Sequence, residues 1–194
     1  MVRKVSQKVT DRLLVRKVIR YEDYEIYQYG LEQLFTNVLD VMTLLVIGLS
    51  MGMIWQGIVF VFSFMLLRKY AGGYHASTPL KCYLLTTLVI IGGLSVMKYI
   101  EINAFISLGL LVVSSVVILL FAPVESENKP LDAIERFIYR RRVILIWCME
   151  TIIAIICFVV NMHNIFTSIV FAYVILGISQ IIKCLNCWKF KKGN

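Results

Sequence analysis

Long apolar runs separated by short polar segments dominate the pattern of residues along this chain. Six of these runs are long enough, or nearly so, to cross the hydrocarbon core of a membrane as a helix. We predict spans at residues 32–51, 53–67, 83–100, 104–121, 143–160 and 165–182. Many of the runs are apolar on every face, as contact with lipid requires. The pattern therefore predicts an all-α membrane protein with about six transmembrane helices.

The segment before the first run, residues 1–28, is polar and basic. Val5, Val9 and Leu13 fall near one helical face, and lysines and arginines are spread around them. This arrangement predicts an amphipathic helix lying in the headgroup region, with a flexible basic tail as the alternative. We expect no signal peptide, because the first apolar run begins only after some thirty residues.

Composition supports the membrane interpretation. Hydrophobic residues make up 59% of the 194 residues and charged residues only 16%. A soluble domain of this size does not have that balance. We therefore predict one integral-membrane domain over residues 1–194, with a transmembrane bundle at 29–182 and a basic cytosolic tail at 183–194.

The positive charges lie almost entirely on one side of the predicted membrane. With six spans both termini share a side, and all but one of the 20 lysines and arginines fall there; Lys98 is the exception. The positive-inside rule places this side, with both termini, in the cytosol of a multi-pass cell-membrane protein. The net charge of +8 at the membrane edges indicates membrane lipids as partners and no nucleic acid.

A polar island at residues 68–82 separates the second and third predicted spans. Its sequence is RKYAGGYHASTPLKC, and it contains His75 and Cys82. A serine, threonine and proline in succession predict a helix start, which places Cys82 in the first turn. The unpaired N–H groups and the helix dipole there favour a thiolate, and Arg68 and Lys81 add positive charge.

Two consecutive glycines, Gly72 and Gly73, allow the chain to fold His75 back towards Cys82. A thiol, an imidazole and cationic surroundings are the parts of an activated cysteine nucleophile. The alternative is an apolar packing cysteine and a solvated histidine, because a cysteine–histidine pair has no fixed spacing in sequence.

The remaining cysteines indicate little chemistry. Cys148 and Cys157 lie in an apolar run, so we expect them to pack against other side chains. Cys184 and Cys187 form a single C-x-x-C pair, which is a weak metal signal without a second pair or a histidine. We predict no metal and no cofactor.

Three polar residues of the first predicted span are candidates for a third catalytic group. Glu32, Asn37 and Asp40 could each orient His75 as the third residue of a triad does. A carboxylate within a membrane span is energetically costly, which makes it a functional candidate. Helix packing is the alternative role for each residue, and the site could also work as a dyad.

The polar island, together with a proline-bracketed loop at 122–130, resembles the accessory gene regulator B (AgrB) family of Gram-positive quorum sensing. The resemblance covers nearly the whole chain in length, span arrangement and motif order. By motif position, it implies that Cys82 is the nucleophile and His75 the general base. It also implies supporting roles for Arg68 and Gly73.

The activity that this resemblance implies is that of a membrane-embedded cysteine endopeptidase. Its partner would be a precursor peptide with an amphipathic leader, a central signal segment and an acidic C-terminal tail. The enzyme would remove the tail and close the signal segment into a thiolactone or lactone ring. We expect the acidic tail to meet basic residues near the site, among them Arg68, Lys69 or the run Arg140–Arg142.

Two other classes of protein stay open at this point. In a small transporter or peptide exporter, Asp40 and Glu150 would bind the cargo and Cys82 would be incidental. In a non-catalytic membrane partner, no residue would react at all. Replacing Cys82 with serine distinguishes these alternatives from a peptidase. A homodimer also stays open, since no dimer face is evident in the pattern.

Overall fold

A computed structural model of the chain describes residues 2–73, 79–100, 102–124 and 132–192, with the side chains of residue 79 and of residues 186–192 excepted. Within these residues the chain forms a short 3-10 helix at Tyr21–Asp23 and seven α-helices: α1 (Val2–Val15), α2 (Tyr24–Met51), α3 (Ile54–Ala71), α4 (Pro79–Tyr99), α5 (Ala104–Phe121), α6 (Ala133–Val159) and α7 (His163–Lys192). The described part contains no β-strand, and six of its helices, α2 to α7, are long and apolar enough to span a membrane. The predicted fold class, a multi-pass all-α membrane protein with a separate N-terminal helix, is confirmed.

Several helices extend beyond the predicted apolar spans. The predicted span at 143–160 belongs to α6, which starts ten residues earlier at Ala133. A capping box starts this helix, in which the backbone N–H of Asp132 donates to Oε2 of Glu135 at 3.4 Å. At the other end of the chain, α7 continues to Lys192, so most of the predicted basic tail is helical.

The N-terminal helix is shorter than the predicted segment 1–28. It ends at Val15 because Lys17 adopts a left-handed conformation (φ 58°). The N–H groups of Lys17 and Val18 then donate to the carbonyls of Leu14 and Leu13 at 2.9 and 3.0 Å, which closes the helix end. The chain turns back at this point, so that α1 packs along α2.

The face of α1 that is buried against the bundle is small and polar. Ser6 and Thr10 are fully buried, whereas Val5 and Val15 are exposed. Glu32 on α2 receives a hydrogen bond from Ser6 Oγ at 3.4 Å and lies 3.8 Å from Arg3 Nε. The apolar side chains of α1 are therefore left free to face lipid, as expected for an interfacial helix.

The centre of the bundle is formed by α3 and α7, which pack against each other and against several further helices. Leu67 and Ala71 on α3 and Tyr173 and Leu176 on α7 are fully buried. In contrast, α5 exposes large apolar side chains along its length, as a lipid-facing helix does.

Helix direction brings several chain segments to one end of the bundle. The end of α3, the start of α4 and the end of α5 lie at this end, because successive spans run in opposite directions. An isolated β-bridge between Gly72 and Val124 joins the segments that follow α3 and α5. At the opposite end, Lys98 Nζ donates to the carbonyl of Met51 at 2.9 Å, which satisfies the C-terminus of α2.

Candidate active site

A cavity of about 620 Å³ lies between the helices at the end where α3 and α4 meet. Residues of α2, α3, α4, α6 and the segment after α5 line it: Gln33, Asn37, Asp40, Phe60, Val61, Phe64, Met65, Arg68, Lys69, Tyr70, Gly72, Gly73, Cys82, Thr86, Val89, Ile90, Pro123, Val124 and Tyr139. The lining thus combines apolar side chains with a carboxylate, two amides, a thiol, two cations and several hydroxyl groups.

Cys82 lies in the first turn of α4, as the helix-start signal predicts. The helix begins at Pro79, and the Cys82 thiol is reduced, half-buried and part of the cavity lining. The next residue fixes this turn to α2, because the hydroxyls of Tyr83 and Thr43 lie 2.8 Å apart. The reactive position is thus held by a hydrogen bond that spacing in sequence does not indicate.

His75 belongs to residues 74–78, which lie outside the described residues. Its predicted pairing with Cys82, and its orientation by any third residue, therefore stay predictions. The described chain ends at Gly73 on one side of this segment and resumes at Pro79 on the other.

Arg68 lies in the last turn of α3 and lines the same cavity. Its guanidinium carbon is 5.2 Å from the centroid of the Phe64 ring, a cation–π distance. Cys82 and Asp40 line this cavity as well. The structure thus brings together a thiol from α4, a cation from α3 and a carboxylate from α2.

Gly72 and Gly73 have backbone conformations and surroundings that exclude a side chain. Their φ angles are +73° and +146°, in the region that glycine favours. A Cβ on Gly72 would overlap the carbonyl oxygen of Val124, and a Cβ on Gly73 would lie 2.7 Å from Ser179 Oγ. The glycines therefore allow the end of α3 to approach both the segment after α5 and helix α7.

The carbonyl of Ala71 joins three parts of the chain. It accepts the N–H of Val124 at 2.9 Å and Nε2 of the fully buried Gln180 at 3.3 Å. Arg140 on α6 fixes the same region, since its Nη1 donates to the carbonyl of Ala122 at 2.9 Å. Sequence reasoning missed Gln180, whose only sequence signal is a polar residue inside an apolar run.

The basic run on α6 is divided in its contacts. Arg142 packs on the Tyr70 ring at 5.2 Å from its centroid, and Tyr139 makes an edge contact with the same ring at 5.7 Å. All three arginines are exposed, but Arg140 binds the Ala122 carbonyl, whereas Arg141 has no such contact in the described part of the chain. Arg140 and Arg142 therefore contact residues at the edge of the cavity. The sequence indicates only the charge of the basic run and does not predict these contacts.

The three polar candidates on α2 separate into two groups. Asn37 and Asp40 line the cavity, and Gln33 Nε2 donates to Asn37 Oδ1 at 3.1 Å. Glu32 instead interacts with Arg3 and Ser6 of α1. The helical spacing explains this division, because positions three residues apart share a face and Glu32 points towards the N-terminal helix.

The fold and the cavity define a class of protein: a multi-pass membrane protein with a cysteine and an arginine in a cavity between its spans. The sequence model of the family described as Accessory gene regulator B matches residues 3–183, so this chain belongs to that family. No solved structure matches the chain.

Curated relatives agree with this assignment. An AgrB-like protein 2 of Clostridium perfringens is 28% identical over 138 residues, which cover 68% of this chain and 64% of that protein. An AgrB-like protein of Listeria monocytogenes is 32% identical over 130 residues, covering 66% of this chain and 63% of the relative. A third, from Listeria welshimeri, is 31% identical over the same shares of both chains. The chain thus spans just under two thirds of the length of these relatives.

Proposed function

We propose that this chain is a membrane-embedded cysteine endopeptidase that removes the C-terminal tail of a quorum-sensing precursor peptide and promotes cyclisation of the signal segment. Membership of the AgrB family supports a role in accessory gene regulator peptide processing. The observation that supports the chemistry is the position of Cys82, in the first turn of α4 and beside Arg68 in a cavity of about 620 Å³.

The first half of the proposed reaction cleaves a peptide bond. His75 takes the Cys82 proton, and the thiolate attacks the carbonyl carbon ahead of the tail. Backbone N–H groups at the start of α4 and the positive charge of Arg68 would stabilise the oxyanion that forms. His75 then protonates the leaving amine, so the tail departs and the signal segment remains as a thioester on Cys82.

The second half transfers the acyl group within the bound peptide. A peptide cysteine attacks the Cys82 thioester, closes the thiolactone and regenerates the enzyme thiol; a peptide serine would give the lactone. Exclusion of water by the surrounding spans suppresses hydrolysis of the thioester. Because forming a thioester from an amide is uphill, release or degradation of the tail pulls the sequence forward.

The proposed substrate fits the surfaces around the cavity. The amphipathic leader would lie on the membrane beside α1, and the cytosolic side would present the tail to basic residues. Arg141 is exposed and has no hydrogen bond, ion pair or ring contact in the described part of the chain, so it is the best candidate to meet an acidic tail. Lys69 lines the cavity, with its Nζ 5.5 Å from the centroid of the Tyr70 ring, and is the second candidate. Arg140 and Arg142 are engaged by Ala122 and Tyr70.

Intact-protein mass spectrometry tests this function directly. The purified chain is incubated in detergent with the synthetic precursor encoded beside it, and a mass increase equal to leader plus signal segment is expected. Hydroxylamine should reverse the adduct, and Cys82→Ala should abolish it. Cys148→Ala is the matched control, because Cys148 is a reduced cysteine on α6 that is also half-buried.

The opposite result would favour an exporter or a non-catalytic partner. Protein shown to bind the precursor would then give no adduct, no free tail and no cyclic product. Processing that continues in Cys82→Ala would equally contradict the proposal.

A further inference from the structure

Asp40 is an energetically costly residue with no evident structural role. Its side chain is 7% exposed, it lies within the span of α2, and Oδ1 has no hydrogen-bond partner in the described part of the chain. An unsatisfied buried acceptor costs about 1–3 kcal/mol, and more when it is charged. Such groups persist where a function requires them.

The cavity offers space in which a ligand could bind next to the Asp40 carboxylate. Asp40 lines it together with Arg68 and Cys82, so the carboxylate and the thiol belong to the same cavity. An ionised carboxylate can only accept hydrogen bonds. Whatever fills this part of the cavity must therefore supply a donor.

Charge balance indicates which donor that is. The cavity lining already holds two cations, Arg68 and Lys69, against the one carboxylate of Asp40. A cationic side chain added here would leave an excess positive charge in a membrane span, which is costly. A peptide backbone N–H is neutral, and it must be satisfied when the peptide enters a region with little water.

We propose that Asp40 is a substrate-binding residue, whose carboxylate accepts a hydrogen bond from one backbone N–H of the precursor peptide held in the cavity. This inference rests on the proposed function, since it takes a peptide as the ligand. In this proposal the Asp40 carboxylate binds the peptide. In the alternative, a triad role, the carboxylate would instead orient His75.

Single N-methylation of the peptide backbone tests the proposal. Binding of synthetic precursors, each N-methylated at one position, is measured in detergent on the Cys82→Ala background, which prevents turnover. N-methylation of the one peptide N–H that donates to Asp40 should weaken binding to the Asp40 protein about tenfold, because the hydrogen bond is lost. The same methylation should have little further effect in Asp40→Leu, which has a similar size and no acceptor.

Asp40→Asn is the second variant. It keeps an oxygen acceptor at this position, so it should retain much of the position-dependent effect even if the leucine variant unfolds. A thermal midpoint in detergent close to that of the parent protein shows that each variant is folded.

Two results would overturn the proposal. In one, the N-methylation penalties are the same with and without the Asp40 carboxylate at every position. In the other, Asp40→Asn slows iodoacetamide labelling of Cys82 in the absence of peptide while affinity is unchanged, which assigns Asp40 to the enzyme's own groups. Failure of the proposed function is recognised separately, by tail removal that persists in Cys82→Ala.

Discussion

Two carboxylates lie buried within membrane spans, and their surroundings differ. Asp40 on α2 lines a cavity that it shares with Arg68 and Cys82. Glu150 on α6 is 4% exposed and lies near Tyr173, and neither of its oxygens has a hydrogen-bond partner among the described residues. Burial of an acid is thus a poor guide to function by itself, and access to a cavity with complementary groups is the better one.

This difference extends to the regions around the two acids. Around Asp40, polar side chains from α2, α3 and α4 line a cavity of about 620 Å³. Around Glu150, α6 and α7 are in direct contact, and the Tyr173 hydroxyl lies 3.2 Å from the Trp147 carbonyl and 3.1 Å from Thr151 Oγ1. The first region thus borders a cavity, whereas the second lies where two helices pack against each other.

The largest expected effect compares one cysteine from each region. Cys82→Ala should lower the rate of tail removal by about a thousandfold or more, because it removes the proposed nucleophile. Cys148→Ala, near Glu150 in sequence, should leave the rate within about threefold. Cleavage of the synthetic precursor followed by liquid chromatography measures both rates. If both variants lost the same amount of activity, the cavity around Asp40 would not differ in function from the region around Glu150.

The next effect concerns the backbone at the edge of the cavity. Gly72→Ala should destabilise the protein by about 3 kcal/mol or more, since the new Cβ overlaps the Val124 carbonyl at a positive φ. Gly92→Ala is the matched control, because Gly92 lies within α4 and a Cβ there meets nothing within 4 Å. That control should be neutral or stabilising by about 0.5–1 kcal/mol. Thermal unfolding in detergent measures both, and similar stabilities would contradict the close approach.

Replacement of Glu150 should have a smaller effect on stability than Gly72→Ala, and it should stabilise the protein. Glu150→Met removes two buried acceptors that have no partner in the described part and keeps the shape of the side chain. We expect it to stabilise the protein by about 1–2 kcal/mol and to leave precursor processing unchanged. Chemical unfolding and the cleavage assay test both parts. Loss of processing in a stable variant would show that Glu150 has a function, as the transporter hypothesis requires.

The smallest effect compares neighbouring arginines of α6. Arg140→Ala should cost about 1 kcal/mol of stability, because it removes the 2.9 Å hydrogen bond to the Ala122 carbonyl. Arg141→Ala should change stability by less than about 0.5 kcal/mol, because Arg141 is equally exposed and has no such hydrogen bond in the described part of the chain. Thermal midpoints measured side by side separate the two, and identical values would show that the contact at Ala122 adds nothing.

The spans and the start of α4 could be predicted because they depend on local signals. Apolar runs set the six spans, and the residues before Cys82 set its place in a first helical turn. The early start of α6 was missed, because its first ten residues are too polar to count as a span, although Asp132 and Glu135 have the spacing of a capping box.

The site itself could be predicted only in part. The polar island identified Cys82 and Arg68, and the cost of a membrane carboxylate identified Asp40. Their meeting in one cavity depends on helix packing between distant segments, as does the contact of Gln180 with Ala71. No periodicity in the sequence reports such a contact.

The bridge between Gly72 and Val124 also limits how related chains can diverge. A side chain at the glycine would require the segment after α5 to move, and that segment is tied to Ala71 by a 2.9 Å hydrogen bond. The two positions should therefore change together across relatives or not at all. Insertions and deletions should be excluded from residues 122–124, so that the spacing between the end of α5 and this bridge remains constant while its flanks drift.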